Sequence, residues 1–359
     1  MARRLQLHRE FFQNRRGNLL VWASFNKDRT PWSWDIPGQG KALSTEFLDR
    51  HAYELGIQHV RQCEAEACDH YRIGDDFYTG LSPANWGSGF KYAIFTGGDV
   101  MFHEGTSYTS GPVVREWIDL NGLRFDLDNR WIRCVIDHWR GIEAAYQGGL
   151  MVTPIAGKSP LDLANGLRGN DLFYDLYDAP ERVDALLDFC VSSTITLDKF
   201  LRGKFKLLAE APNGVSGAAF QKRSLWLNGD PVDLISEEMG ARFNQPPIEK
   251  LATYAEAIFF HHHSIGYARA DSVSRIEGLS MQNIQQDPNG PRLQDHVDDR
   301  LIEASLRVPI NLGINLAECP DIDRLLARLA EGRFALEIKT DTADEARVLV
   351  RKARRYFRA

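Results

Sequence analysis

The sequence predicts an α/β fold in which residues 1–359 form a single (β/α)8 barrel domain of the TIM type. Eight apolar runs of strand length recur along the chain, and helical patterns separate most of them. The sequence also contains no internal repeat and no low-complexity segment. Strands that alternate with helices are typical of parallel βαβ units, and eight such units are enough to close a barrel.

The predicted strands each have a short apolar core and a polar or glycine-containing boundary. They span residues 19–24, 59–64, 150–155, 215–221, 258–263, 281–286, 310–315 and 334–339. A helix with Ser44 as its N-cap is predicted over residues 45–56, and another over 130–147. Two further helices are predicted between residues 161 and 190, where Pro180 stands at a helix start. The last helix begins near Thr342 with capping-box spacing.

Residues 75–110 have a different texture from the rest of the chain. Glycine, aromatic residues and the short runs KYAIF and VMFHE predict a β-hairpin or loop elaboration here. We expect this elaboration to cover the barrel mouth, which is the end where the strands have their carboxyl termini.

The composition excludes several classes of protein. An apolar share of 43% and a charged share of 26% are ordinary for a globular protein. The net charge of -6, without a basic stripe, argues against a nucleic-acid partner. No apolar run is long enough to cross a bilayer, and the five scattered cysteines suit reduced thiols. We therefore expect a cytoplasmic protein without a membrane partner. The oligomeric state stays open, with a homodimer among the alternatives.

Several segments carry a resemblance to a known family. SPLDLANGLRG (159–169), LFYDLYDAPERVDALLDF (172–189), FHHHSIG (260–266) and IQQDPNG (284–290) resemble segments of the uroporphyrinogen decarboxylase superfamily. That superfamily also contains the corrinoid-dependent (cobalamin-dependent) methyltransferases. The resemblance covers about the C-terminal two-thirds of the chain and implies the same barrel. It implies an enzyme with a small-molecule substrate, which transfers a methyl group to a corrinoid carried by a partner protein. The alternative is a decarboxylase of a small carboxylate or a tetrapyrrole.

The end of the strand over 258–263 is the strongest candidate site. Strand alternation places His261 and His263 on one face, where two imidazoles can chelate one divalent metal ion. The alternative is that both rings hydrogen-bond to loop backbone or contact an organic ligand. In the zinc-dependent methyltransferases of the superfamily this strand ends in His-x-Cys-Gly, and here it reads His261-His262-His263-Ser264. The resemblance therefore implies zinc as the metal.

A third metal ligand is expected from a neighbouring strand end. Glu66 is the leading candidate, because it follows the strand predicted over 59–64, and Glu64 and His103 are alternatives. A solvated acidic turn is the competing interpretation of both glutamates, since carboxylates are mostly exposed.

The remaining candidates lie in loops after predicted strands or at strand ends. Trp32, Trp34 and Trp226 are expected to form walls of the substrate cavity, and Gln285 and His103 to contact the substrate. Asp35 and Asp230 join the two histidines as catalytic candidates, and Asp35 or a histidine is the proton donor in the decarboxylase hypothesis. The loop over 28–35 has one arginine and two tryptophans, which suits an octa-acid tetrapyrrole poorly. A third hypothesis is a non-catalytic binder of a small ligand.

Overall fold

The computed structural model describes residues 2–13, 19–24, 43–82, 86–103, 106–215, 217–220, 223–287, 289–315, 319 and 321–357. The strands are β1 (Leu19–Ser24), β2 (Gly80–Leu81), β3 (Val100–His103), β4 (Thr106–Thr109), β5 (Met151–Val152), β6 (Ala156–Lys158), β7 (Gly214–Val215), β8 (Ala218–Ala219), β9 (Ser224–Asn228), β10 (Ala257–His263), β11 (Leu279–Gln285), β12 (Ile310–Asn315) and β13 (Phe334–Lys339).

The helices lie between the strands in chain order. They are α1 (Ala2–Gln13), α2 (Thr45–Ile73), α3 (Ser88–Thr96), α4 (Arg130–Ala145), α5 (Pro160–Arg168), α6 (Asp171–Asp178), α7 (Pro180–Lys204), α8 (Leu207–Glu210), α9 (Glu237–Met239), α10 (Gln245–Tyr254), α11 (Ala270–Val273), α12 (Asp299–Arg307), α13 (Ile322–Leu329) and α14 (Ala343–Phe357). Short 3₁₀ turns cover Trp117–Gly122, Asp230–Leu234, Ser264–Arg269 and Leu293–Asp295, and a π turn covers Gly240–Asn244. Among the described helices, none combines the length and the apolar character needed to span a bilayer.

Within the described residues, the central sheet has seven parallel strands in the order β1-β13-β12-β11-β10-β9-β6. A separate parallel pair joins β2 to β5, which precedes β6 in the same segment of chain. The strands therefore follow one another in chain order around most of a barrel. In the described ranges, however, β1 and β2 are not paired, so the ladder does not close. The α/β fold with a TIM-barrel-like sheet is confirmed, and the closed eight-stranded barrel is not.

The carboxylates of two aspartates accept hydrogen bonds from backbone N–H groups of β1, on the edge where no partner strand is described. The carboxylate of Asp76 accepts the backbone N–H of Val21 at 3.0 Å, and that of Asp75 accepts the N–H of Ala23 at 3.1 Å. The backbone N–H of Asp76 donates to the carbonyl of Val21 at 2.8 Å. These bonds satisfy backbone groups that a barrel strand would otherwise satisfy, because buried amides need a partner.

The barrel interior and the outer layer have separate apolar cores. Inward side chains of β1, β10, β11 and β13 (Trp22, Phe259, Met281 and Ala335) pack together with Phe11 of α1. On the outer face the same strands pack against the surrounding helices, as Leu336 and Ile338 of β13 do. Inward and outward side chains alternate along each strand. At the carboxyl ends of β9, β10 and β11 the residues are polar, so polar side chains lie at the barrel mouth.

Three sequence predictions are wrong at this level. Residues 59–64 lie inside α2, whose N-cap is the predicted Ser44, which accepts the N–H of Phe47 at 3.1 Å. The run KYAIF (91–95) belongs to α3, although VMFH does form β3 of an antiparallel hairpin with β4. Within the window predicted as a strand at 215–221, Val215 and Ala218–Ala219 belong to the short antiparallel pair β7–β8, and the barrel strand that follows is β9.

Candidate metal and substrate site

The histidines at the end of β10 lie between the ends of β9 and β11. His261 is in register with Asn228 of β9 and with Asn283 of β11. The rings of His261 and His263 lie on the same face, with their centroids 4.9 Å apart. His262 points to the other face and is buried, where its Nδ1 lies 3.1 Å from the carboxylate of Asp233.

Asp230 lies beside the two histidines. It is the first residue of the 3₁₀ turn that follows β9, and its Oδ1 lies 3.5 Å from Nε2 of His263. Asp230, His261 and His263 each offer one ligand atom, and these atoms all lie within 4.8 Å of one another. Two imidazoles and one carboxylate are donors that catalytic zinc and non-haem iron both accept.

Oxygen acceptors orient both rings. Nδ1 of His261 lies 2.5 Å from Oδ1 of Asn283, and Nδ1 of His263 lies 2.7 Å from Oδ1 of Asp287. Because both partners accept at these oxygens, Nδ1 carries the hydrogen in each neutral ring and Nε2 keeps its lone pair. Metal-binding histidines usually donate their other nitrogen in this way, which fixes the tautomer and the ring orientation.

The pKa shifts of the three residues indicate which of them are charged. Burial lowers the pKa of His261 to about 4, so this ring is neutral near pH 7. The interaction with Asp230 raises the pKa of His263 to about 9 against the effect of burial, and the negative charge of Asp287 adds to it. Burial alone would raise the pKa of Asp230, but His263 and Lys158 outweigh it and hold this pKa well below its usual range. Asp230 is therefore ionised, and its charge can serve either the His263 imidazolium or a divalent cation.

A second polar network adjoins Asp230, and the sequence predictions did not include it. Lys158 at the end of β6 donates to Asp162 of α5 at 2.9 Å, and its Nζ lies 3.7 Å from Oδ2 of Asp230. The hydroxyl of Tyr92 donates to the other oxygen of Asp162 at 2.6 Å. Burial raises the pKa of Asp162, and Lys158 opposes this effect. In the sequence, Asp162 follows Lys158 by four residues. This spacing after a predicted strand is the pattern that could have indicated the ion pair.

The other predicted residues have different surroundings. Gln285 ends β11 in register with His263. Trp226 lies within β9, not in a loop, and its ring packs inside the barrel at 6.0 Å from Phe259. His103 is exposed on the β3–β4 hairpin. Neither His103 nor Glu66 belongs to the ligand group found among the described residues.

The expectation for Glu66 had a wrong premise, because this residue lies on α2 and not after a strand. In the geometry of the site Asp230 stands where a third ligand was expected. Trp32, Trp34 and Asp35 lie outside the described residues, so their predicted roles stay predictions. The decarboxylase hypothesis, with Asp35 or a histidine as its proton donor, also stays a prediction.

Comparisons with known proteins bear on the fold. No protein-family model matches the chain, and no curated protein matches it either. The solved structure of a methyltransferase from Methanosarcina mazei is similar, with a TM-score of 0.61 and 11% sequence identity. The alignment covers 88% of this chain and 93% of that chain. At this identity the likeness supports the TIM-barrel-like fold alone, and membership of the uroporphyrinogen decarboxylase superfamily stays a prediction.

Proposed function

We propose that this protein is an enzyme that transfers a methyl group from a small methylated compound, assisted by a divalent cation held by Asp230, His261 and His263. The convergence of these three ligand atoms within 4.8 Å carries the proposal. The similar fold of the Methanosarcina mazei protein, which is a methyltransferase, supports methyl transfer as the reaction class. Zinc is the preferred cation, because two histidines and a carboxylate can leave a coordination position open for substrate.

The residues of the chain have distinct roles in this proposal. His261 and His263 present Nε2 to the cation, while Asn283 and Asp287 hold the two rings in orientation. Asp230 adds a negative charge, and Lys158 at 3.7 Å helps to keep it ionised. The cation, when bound, would polarise the heteroatom that carries the methyl group and so make it a better leaving group. A corrinoid carried by a partner protein is the proposed methyl acceptor.

Metal analysis tests the site without knowledge of the substrate. Protein purified without chelator and then given excess zinc is expected to retain one equivalent after desalting, measured by inductively coupled plasma mass spectrometry. His263→Ala and Asp230→Ala should each lose most of this zinc, because two ligands hold a cation much more weakly than three. His103→Ala and Glu66→Ala are matched controls and should bind as the wild type does. Wild-type protein that retains no metal, or His263→Ala that retains a full equivalent, would contradict the proposal.

The reaction class needs its own test. Reduced free cobalamin can replace the carried corrinoid as methyl acceptor, and a panel of O-, N- and S-methylated compounds can serve as donors. We expect the zinc-loaded wild type to form methylcobalamin from one class of donor, and His263→Ala to form none. Absorbance spectroscopy measures the methylcobalamin. Equal rates in both proteins with every donor would contradict the assigned role of the site.

A further inference from the structure

Lys91 is a buried cation for which the described residues supply no hydrogen-bond acceptor. It lies in the first turn of α3 with 6% of its surface exposed, and its Nζ lies 5.7 Å from the ring centroid of Trp226. Within the described part of the chain, this ammonium makes no hydrogen bond and no ion pair. Lysine is almost never fully buried without a partner, because the loss of hydration is costly. The ring of Trp226 attracts the ammonium through a cation–π contact but accepts no directed hydrogen bond, so among the described residues the donors of Lys91 stay unfilled.

A second donor without an acceptor lies beside it. Nε1 of Trp226 is buried and, among the described residues, has no hydrogen-bond partner. An indole nitrogen and a lysine ammonium can only donate hydrogen bonds. Trp226 faces the barrel interior on β9, the strand that leads directly to Asp230. Two donors that lack an acceptor among the described residues thus lie near each other in the interior, and Asp230 of the proposed metal site is close enough to Lys91 to act on its charge.

The neighbouring charges do not neutralise Lys91. The carboxylates of Asp162 and Asp230 already face Lys158, at 2.9 Å and 3.7 Å from its Nζ. Burial lowers the pKa of Lys91 to about 7, the positive charge of Lys158 adds to this effect, and the two aspartates oppose it only in part. An anion arriving beside Lys91 would keep the amine protonated and would fill an unsatisfied position.

We propose that Lys91 and Nε1 of Trp226 bind a carboxylate group of the substrate, while the methyl-bearing end of that substrate reaches Asp230, His261 and His263. This inference rests on the proposed function and narrows its substrate class to methylated compounds that carry a carboxylate. Ordered water would satisfy the same two donors, and a phosphate group offers a similar set of oxygens. The experiment separates these outcomes.

Calorimetric titration with small probes tests the charge preference. Benzoate, its uncharged analogue benzamide and inorganic phosphate are titrated into zinc-loaded wild type, Lys91→Met and Lys199→Met. Lys199 is the matched control, because it lies 5.5 Å from the ring of Tyr254 on the protein exterior. We expect the wild type and Lys199→Met to bind benzoate at least tenfold more tightly than benzamide, and Lys91→Met to lose this preference. Equal binding of benzoate and benzamide by the wild type would overturn the inference, as would tighter binding of phosphate than of benzoate.

A measurement on the wild type alone avoids any dependence on folding of the variant. Reductive methylation with formaldehyde and a borane labels accessible amines, and peptide mass spectrometry reports the extent at Lys91. Benzoate should slow labelling at Lys91 severalfold and leave Lys199 unaffected, whereas benzamide should protect neither. Labelling of Lys91 that is the same with and without benzoate, including none in both, would overturn the inference. If benzoate protects Lys91 although the protein binds no metal, the proposed function fails and the carboxylate site stands. If zinc binds but benzoate gives no protection, only the carboxylate site fails.

Discussion

The carboxylate of Asp287 is expected to set the affinity of the proposed metal site through its hydrogen bond with His263. Its Oδ1 lies 2.7 Å from Nδ1 of His263, and its Oδ2 accepts the backbone N–H of Ile265 at 3.3 Å. Asp287→Ala removes the acceptor and frees the ring to rotate away from the cation. Loss of such a partner typically weakens metal binding by about 10–100-fold, or about 1.4–2.7 kcal/mol. Asp287→Asn keeps an oxygen but loses the charge, so we expect a loss of about tenfold.

Competition with a chromophoric zinc chelator at constant pH measures these affinities. Asp295→Ala is the control, because Asp295 pairs with Arg292 at 2.6 Å on the same segment but does not contact the histidines. It should bind zinc within twofold of the wild type. Urea unfolding of the zinc-free proteins separates a loss of orientation from a loss of folding. The reasoning is refuted if Asp287→Ala binds zinc as tightly as the wild type does, or if Asp295→Ala loses as much affinity.

Two further predictions concern stability and are measured by urea unfolding. Gly141→Ala should lower the free energy of unfolding by about 3 kcal/mol, because the added Cβ would lie 2.0 Å from the carbonyl oxygen of Tyr53 and force α4 away from α2. Gly203→Ala should raise it by about 0.5 kcal/mol, because among the described residues no atom outside its own stretch of helix backbone lies within 4 Å of the added Cβ. Equal effects of the two substitutions would contradict this account. Nδ1 of His8 accepts the N–H of Ala219 at 2.9 Å, and burial lowers the pKa of His8 to about 4. The unfolded chain binds this proton near pH 6.5 and the folded chain does not, so stability should fall by about 3 kcal/mol as the pH drops from 6.5 to 4. The His8→Gln variant should lack this part of the fall, and identical pH profiles for the two proteins would refute the assignment.

The strands with a continuous apolar core could be predicted from the sequence. The strands β1, β12 and β13 have the predicted bounds, and β10 begins one residue earlier. In contrast, β2 has only two residues, which is too short for any periodicity to indicate it, and β5 forms only two residues of the strand predicted over 150–155. The window 59–64 contains buried Val60 and Cys63, three residues apart, and so fits one face of α2. Six residues are too few to separate a period of 2 from a period of 3.6.

The site could be predicted only in part, because its geometry depends on contacts between distant segments. The shared face of His261 and His263 follows from strand alternation and needs no tertiary information. The place of Asp230 beside them depends on the register of β9 with β10, whereas the sequence pattern predicts that strand at 215–221. The pattern around Lys91 predicts a strand, but α3 directs this side chain toward Trp226. Local sequence propensity cannot predict that Asp230 lies beside the two histidines or that Lys91 lies beside Trp226.

The tautomer of His261 is determined by a hydrogen-bond chain that crosses four strands. The side-chain amide of Asn311 on β12 donates to the carbonyl of Ala335 on β13 at 2.9 Å. Its Oδ1 is then the acceptor for the amide of Asn283 on β11 at 2.7 Å. This leaves Oδ1 of Asn283 as the acceptor that faces Nδ1 of His261 on β10. Each amide has one oxygen and one NH₂ group, so the direction set at the backbone of β13 passes unchanged to the histidine. Nε2 of His261 is therefore held as a lone-pair donor toward Asp230 and His263 before any cation arrives, which is the preorganisation that a metal ligand requires.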